Sequence, residues 1–391
     1  MELIQGMAGI YIHIPFCRQA CHYCDFHFAT SLKDAERMIE CMVLEMKQRS
    51  DEIGSAEIET IYLGGGTPSI LEPKHYDQLF QTIHQCFSLS NDLEITLEAN
   101  PEDLNAERLS HFKSLGINRL SIGVQSFRDE DLKWMNRAHS AEEARAAIEL
   151  ALQFGFKDLN LDLIYGIPNM TQRAWQKNVD EALLIGVNHI SAYNLTVESG
   201  TALAHFVKKG TSKDVDEEQS IAELNYLKQA CAQHGWERYE ISNYCKAGNY
   251  AKHNTNYWRS ISYFGFGPSA HSFNATEQTR RWNVRNNAKY MKNVENGSLY
   301  FEMEKLSIRN QFNELLMLGL RTKWGVDIRE VQERISEFSD AEAVAASFHQ
   351  SIQDLEVKGW MQRHGASHFL TEVGKNYADA ALAELFLEET S

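Results

Sequence analysis

From residue 10 the chain alternates between short β-branched apolar runs and longer amphipathic stretches. "IYIHI" (10–14) gives way to "LKDAERMIECMVLEMKQR" (32–49), whose apolar positions recur at helical spacing, and then to "IETIYL" (58–63). The same change of period returns in "LEITLEA" (93–99), "AERLSHFKSLG" (106–116), "RLSIGV" (119–124), "AEEARAAIELALQFG" (141–155), "DLNLDLIYG" (158–166), "AWQKNVDEALLIG" (174–186) and "HISAYNL" (189–195). These make roughly six strand–helix units. Such alternation predicts a parallel sheet with right-handed crossovers, either an open doubly wound sheet or a full or partial barrel. In both, chemistry gathers at the carboxyl ends of the strands.

Beyond about residue 236 the alternation fades, and "AKHNTNYWRSISYFGFGPSAHS" (251–272) reads as loop and short strand. From about 301 the pattern turns helical, with "NQFNELLMLGLRTKW" (310–324) and "VAASFHQSIQDLEVKGW" (344–360), followed by a hairpin and a last helix. The expected organisation is therefore a core over 1–236, a connecting segment over 237–300, and a smaller, mainly helical domain of winged-helix type over 301–391. This last part carries several acidic residues and no basic run, which speaks against nucleic acid as its partner.

Composition sharpens this outline in two ways. The formal charge of -16, from 54 acidic and 38 basic side chains, again disfavours a polyphosphate partner. No window has the length of a membrane-spanning helix, and the first nine residues lack the basic start and apolar block of a secretory signal, so a cytoplasmic location is expected. Seven cysteines are spread unevenly: Cys41, Cys86, Cys231 and Cys245 are scattered and read as ordinary reduced thiols, whereas Cys17, Cys21 and Cys24 cluster.

That cluster, in "YIHIPFCRQACHYCDFHF", has the spacing C-x3-C-x2-C and falls on the loop that follows the first strand. A structural zinc site needs four ligands, for which His22 or His27 would have to serve. Three thiolates also suit a 4Fe-4S cluster in which one iron lacks a protein ligand. An iron left open in this way is available to a substrate or cofactor.

The three-cysteine spacing, the aromatic Tyr23 before the last cysteine, and "YLGGGTPS" (62–69) after the second strand resemble the radical S-adenosylmethionine (SAM) enzymes over roughly residues 10–236. The resemblance implies a partial (β/α)6 barrel of the TIM type. It also implies that Cys17, Cys21 and Cys24 hold a 4Fe-4S cluster, whose open iron chelates SAM so that electron transfer cleaves a carbon–sulfur bond. Gly64, Gly65 and Gly66 would let backbone approach the SAM amino group. Glu98 in "EANP", Gln125 in "GVQSF", Arg137 in "MNRAH" and Asp162 in "NLDLIYGIP" fall at or just beyond strand ends. Together they are similar to a subfamily, the oxygen-independent coproporphyrinogen III oxidases and their relatives. There the positions matching Tyr11, Gly65, Gly66, Thr67, Glu98, Gln125, Arg137 and Asp162 contact SAM, and Tyr23 is placed with them.

Two departures separate the sequence from the oxidases of that subfamily. They carry a further cysteine where this chain has Phe26, and they carry an amino-terminal extension, whereas here the first strand starts by Ile10. Both departures resemble instead the HemW group, regarded as haem chaperones, as does "HNTNYW" (253–258), similar to that group's H-N-x-x-Y-W motif. On this resemblance haem is the cargo, membrane respiratory haem proteins are the recipients, and His253, Tyr257, Trp258 and His271 are the candidate haem contacts. Three functions stay open in order: a haem-binding chaperone, an oxidase decarboxylating coproporphyrinogen III, and a radical SAM transferase acting on RNA or protein.

Overall fold

The computed structural model describes residues 6–299 and 301–388. The expectation about a secretory signal, and the outer limits of the first and last segments, thus lie partly outside the described residues. All six predicted strands form, as β1 (Met7–Ile14), β2 (Glu57–Gly65), β3 (Leu89–Ala99), β4 (Arg119–Gln125), β5 (Asp158–Tyr165) and β6 (His189–Asn194). They pair in parallel in sequence order. Helices Ala35–Gln48, Pro73–Cys86, Ala106–Ser114, Ala141–Gln153 and Gln172–Leu184 connect them. The sheet does not close on itself, so the architecture is the expected partial barrel.

Period-two alternation divides each strand between two environments. Ile10, Ile12 and Ile14 of β1, Leu120, Ile122 and Val124 of β4, and Leu159, Leu161 and Leu163 of β5 are buried in one continuous apolar core with the helices. The intervening positions are polar: Tyr11 on β1, Tyr62 on β2, Glu98 on β3, Arg119 and Ser121 on β4, Asn160 and Asp162 on β5, His189 and Ser191 on β6. These line space inside the barrel.

The sheet continues past both ends of this set. Beyond β6 lie β8 (Asn243–Lys246) and, outermost, β7 (Trp236–Arg238), both antiparallel. On the other side β9 (Tyr263–Phe266) pairs in parallel with β1, followed by antiparallel β10 (His271–Asn274), β11 (Thr279–Asn283) and β12 (Phe301–Lys305). Within 251–272, read from sequence as loop and short strand, Lys252–Trp258 is a helix. Its signal is non-local: the Glu94 carboxylate accepts the backbone N–H groups of Lys252 and His253, each at 2.8 Å, and so caps the helix from another element.

A buried polar knot ties the first helix to this extension. Arg49 donates to Glu45 at 2.8 Å and to the Gly265 carbonyl at 2.6 Å. Glu45 also accepts from Asn283 at 2.7 Å, Tyr290 at 2.6 Å and the Gly267 N–H at 2.9 Å. A paired and fully hydrogen-bonded charge is the form in which such groups are tolerated in a core.

The last part has its own core, around Phe312, Leu316, Val331, Phe348 and Leu355. Helices Ile308–Leu320, Ile328–Ile335 and Ala341–Val357 precede a hairpin, β14 (Met361–His364) and β15 (Ser367–Leu370), to which the short β13 (Val326–Asp327) adds a strand. Among the described residues no helix is long and apolar enough to cross a membrane.

Candidate functional site

The cysteine loop leaves the carboxyl end of β1 and is fixed by backbone contacts to distant segments. The Cys17 N–H donates to the Ala29 carbonyl at 3.0 Å, His22 N–H to Met135 at 3.1 Å, and Leu203 N–H to His22 at 2.8 Å. His22, one of the two imidazoles considered for zinc, sets Nδ1 2.8 Å from the Trp134 carbonyl, and the other, His27, sets Nε2 2.7 Å from Asn287 Oδ1. Both are engaged in holding the loop. Arg285 donates to the Asp25 carbonyl, fastening the same loop to the segment after β11.

The three thiols are half-buried and unbridged. Burial pushes Cys17 up to about 12 and Cys24 to about 11. Two donors already face the sulfurs: Thr67 Oγ1 at 3.4 Å from Cys17 Sγ, and Arg137 Nη1 at 3.4 Å from Cys21 Sγ. Arg137 is aimed by its other contacts, Nη2 to Asn100 Oδ1 at 2.7 Å and to the Gly123 carbonyl at 2.8 Å. Donors to sulfur favour the thiolate that a cluster requires and tune its potential. His22 and His27 each have one ring nitrogen engaged, and the three thiols are the donor set that fits a cluster held on three sides.

Beside the loop opens a cavity of about 430 Å³ whose lining includes Tyr23, Cys24, Gly65, Gly66, Thr67, Glu98, Gln125, Arg137 and Asp162. A Cβ on Gly66 would stand 2.5 Å from the Phe16 carbonyl oxygen and 2.9 Å from that of Ile14. Gly65 has φ of 107° and a Cβ there would meet the His13 ring at 2.6 Å. Backbone therefore reaches the cavity where a side chain would not fit. Glu98 accepts from Tyr62 Oη at 2.7 Å and from the Gly65 N–H at 3.1 Å, and burial, with Asp162 nearby, raises it to about 7. Asp162 accepts from Asn160 Nδ2 at 2.8 Å, and burial raises it to about 6. Gln125 is held at φ of 65°, an uncommon conformation for a side-chain-bearing residue and one that recurs at binding sites.

Tyr11 lies lower, in a second chamber of about 230 Å³ inside the barrel that also shares Glu98, Ser121, Asp162 and Tyr193 with the cavity above. Sequence reasoning passed over Tyr62, Ser121, Tyr193 and Arg119. Each occupies an inward position of a strand already identified, but that position alone does not single a residue out.

The four haem candidates are not brought together. His253 is 2% exposed, with Nδ1 2.7 Å from Thr60 Oγ1 and Nε2 2.8 Å from Tyr257 Oη, and burial lowers it to about 3. It and Tyr257 line the lower chamber. Trp258 faces a different groove, of about 550 Å³, between the main sheet and the last domain, with Nε1 unpartnered. His271 alone stands at the cysteine-loop end of the sheet. It is exposed and stacks on Trp282 at 6.0 Å and 21°, and no residue among those described bonds its ring nitrogens.

Three thiols on the loop after the first strand of a partial barrel, above a glycine-edged polar cavity, define a radical SAM protein. A domain model described as "Radical SAM superfamily" matches residues 11–182, and one described as "HemN C-terminal domain" matches 306–375. Proteins named "Heme chaperone HemW" align over nearly the whole chain. That of Bacillus subtilis is 34% identical, covering 94% of this chain and 96% of the relative; that of Haemophilus influenzae is 33% identical, covering 97% and 98%. The chain belongs to the HemW family. Among solved structures, the coproporphyrinogen III oxidase (HemN) of Escherichia coli, described as a radical SAM enzyme, superposes with a TM-score of 0.83 over 97% of this chain and 90% of that one, at 19% identity. It shares the fold.

Proposed function

We propose that this protein is a radical SAM haem chaperone, binding haem and passing it to respiratory haem proteins of the membrane. The observation that carries the reading is the full-length alignment with haem chaperones in a chain whose three-thiol loop and glycine-edged cavity are intact. It outweighs the oxidase, whose likeness is one of fold.

Cys17, Cys21 and Cys24 would hold the 4Fe-4S cluster, with Thr67 and Arg137 donating to two of the sulfurs. Gly65, Gly66, Thr67, Gln125, Arg137, Glu98 and Asp162 would hold SAM, and Tyr11 supports them from below through its 6.1 Å stacking with Tyr62. When bound, cluster and SAM supply one-electron chemistry. The carboxylates of Glu98 and Asp162 accept best when ionised. Because burial raises both, SAM binding is expected to weaken as pH falls through about 7 and then about 6, by up to about tenfold per unit for each group. Equilibrium binding of SAM between pH 5.5 and 8 checks this; Glu98→Gln should remove the upper limb, and a flat profile counts against both contacts.

For haem, His271 is the imidazole whose nitrogens are open, whereas His253 would first have to part from Tyr257. His271→Ala is expected to weaken the stoichiometric Soret shift on haem titration at least about tenfold, as loss of an axial ligand should, with His253→Ala near the parent protein. The reverse result assigns the iron to His253. The same preparation, given SAM, dithionite and coproporphyrinogen III under anaerobic conditions, should form no protoporphyrinogen; its formation defeats the chaperone reading.

A further inference from the structure

Arg119 opens β4 on its inward face and is 6% exposed. It borders the chamber of about 230 Å³ beneath the cysteine-side cavity, and among the described residues its guanidinium has neither a hydrogen bond nor an ion pair. Arginine does not shed its charge in a protein, so a buried guanidinium has to be compensated by something it faces.

Three carboxylates border the chamber. Glu94 is committed to the backbone N–H groups of Lys252 and His253. Glu98 is committed to Tyr62 and to Gly65. Asp162 is the remaining one: its partners are neutral, Asn160 together with the hydroxyls of Ser121, at 3.3 and 3.4 Å, and Ser191. It is also the one on which the Arg119 charge acts, lowering it against the upward pull of burial. His189 and His253, the chamber's imidazoles, are kept neutral by burial with Arg119 adding to the effect, so neither competes as a cation. Tyr193, Ser191, Tyr62 and Glu98 border the same chamber without positive charge, and Arg137, the cation of the upper cavity, is engaged with Cys21, Asn100 and the Gly123 carbonyl. The chamber is large enough for water to link the two groups.

We infer that Arg119 is a positioning residue that acts across the lower chamber to hold the Asp162 carboxylate as an anion aimed at the ligand of the upper cavity. This rests on the reading that Asp162 contacts SAM. The role is selective, because Glu98, the other acid of the upper cavity, takes its contacts elsewhere.

The test is a double-substitution cycle on SAM affinity, measured by equilibrium binding to the full chain with its cluster reconstituted. Arg119→Gln is expected to raise Asp162 by about one unit from about 6 and so to weaken SAM binding about twofold at pH 7 and about fivefold at pH 6, with almost no loss at pH 8.5. Asp162→Asn should weaken it at least as much, and adding Arg119→Gln to Asp162→Asn should cost nothing further. Arg119→Lys, which keeps the charge on a shorter reach, should fall between parent and Arg119→Gln, and it carries the same cycle if the glutamine variant does not fold. Equal losses in both backgrounds, or no loss in either, overturn the inference. An Asp162→Asn protein with parental affinity overturns instead the reading of Asp162 as a SAM contact.

Discussion

Substituting alanine for any one of Cys17, Cys21 or Cys24 is expected to remove the visible iron–sulfur absorption of the reconstituted protein, with iron content dropping from ~4 atoms per chain toward zero. The loop offers three thiols, and its imidazoles, His22 and His27, each have one nitrogen engaged, with Trp134 and Asn287. The other thiols are poorly placed to step in, since Cys41, Cys231 and Cys245 are buried. Cys86→Ala should leave iron unchanged and serves as the control. The backbone contacts that shape the loop do not involve the sulfurs, so the apo variants should retain parental circular dichroism. Iron content unaffected by all three substitutions would falsify the cluster assignment.

Gly66→Ala should be nearly as damaging without removing a single ligand. The added carbon would lie 2.5 Å from the Phe16 carbonyl oxygen, 2.9 Å from that of Ile14 and 2.9 Å from the Phe16 nitrogen, all of them backbone. A flexible side chain could swing aside; this backbone cannot, because the Gly66 N–H donates to Ile14 at 2.8 Å and the Thr67 N–H to Phe16 at 2.7 Å. Relief has to come from parting the glycine loop from the start of the cysteine loop, at about 1–3 kcal/mol or more. SAM affinity should fall by at least about tenfold, the equivalent of some 1.4 kcal/mol, and the thermal midpoint should drop with it. Parental SAM binding in Gly66→Ala would show that the two loops need not touch.

Much of the barrel was legible because two periodicities coincide in it. On β4 and β5 the aliphatic residues alternate with Ser121, Gln125, Asn160 and Asp162, so the strand pattern and the binding face are one signal. The cysteines and glycines were legible for a different reason, since few other uses exist for such spacing beside a strand end. What stayed hidden depends on partners far away in sequence. The helix Lys252–Trp258 needs Glu94, and the strands from 263 to 305 are short, with β12 exposed along its length, so nothing local marks them as part of the main sheet. The H-N-x-x-Y-W residues drew attention as one group, yet a helix turn sends His253 into the barrel and Trp258 toward the last domain. Arg119 escaped notice because a lone arginine at a strand start is ordinary; only the chamber around it is not.

The fastenings of the cysteine loop also set a schedule for biogenesis. Residues 17–29 leave the ribosome early, but their final shape depends on Met135, Leu203, Arg285 and Asn287, and the neighbouring helix waits for Gly265 and Tyr290 before its Glu45–Arg49 pair is complete. Contacts of such long sequence separation form late. On the reading that these thiols hold iron, the site is encoded early in the chain and reaches its final shape only once the segments around Met135, Leu203, Arg285 and Asn287 have been made.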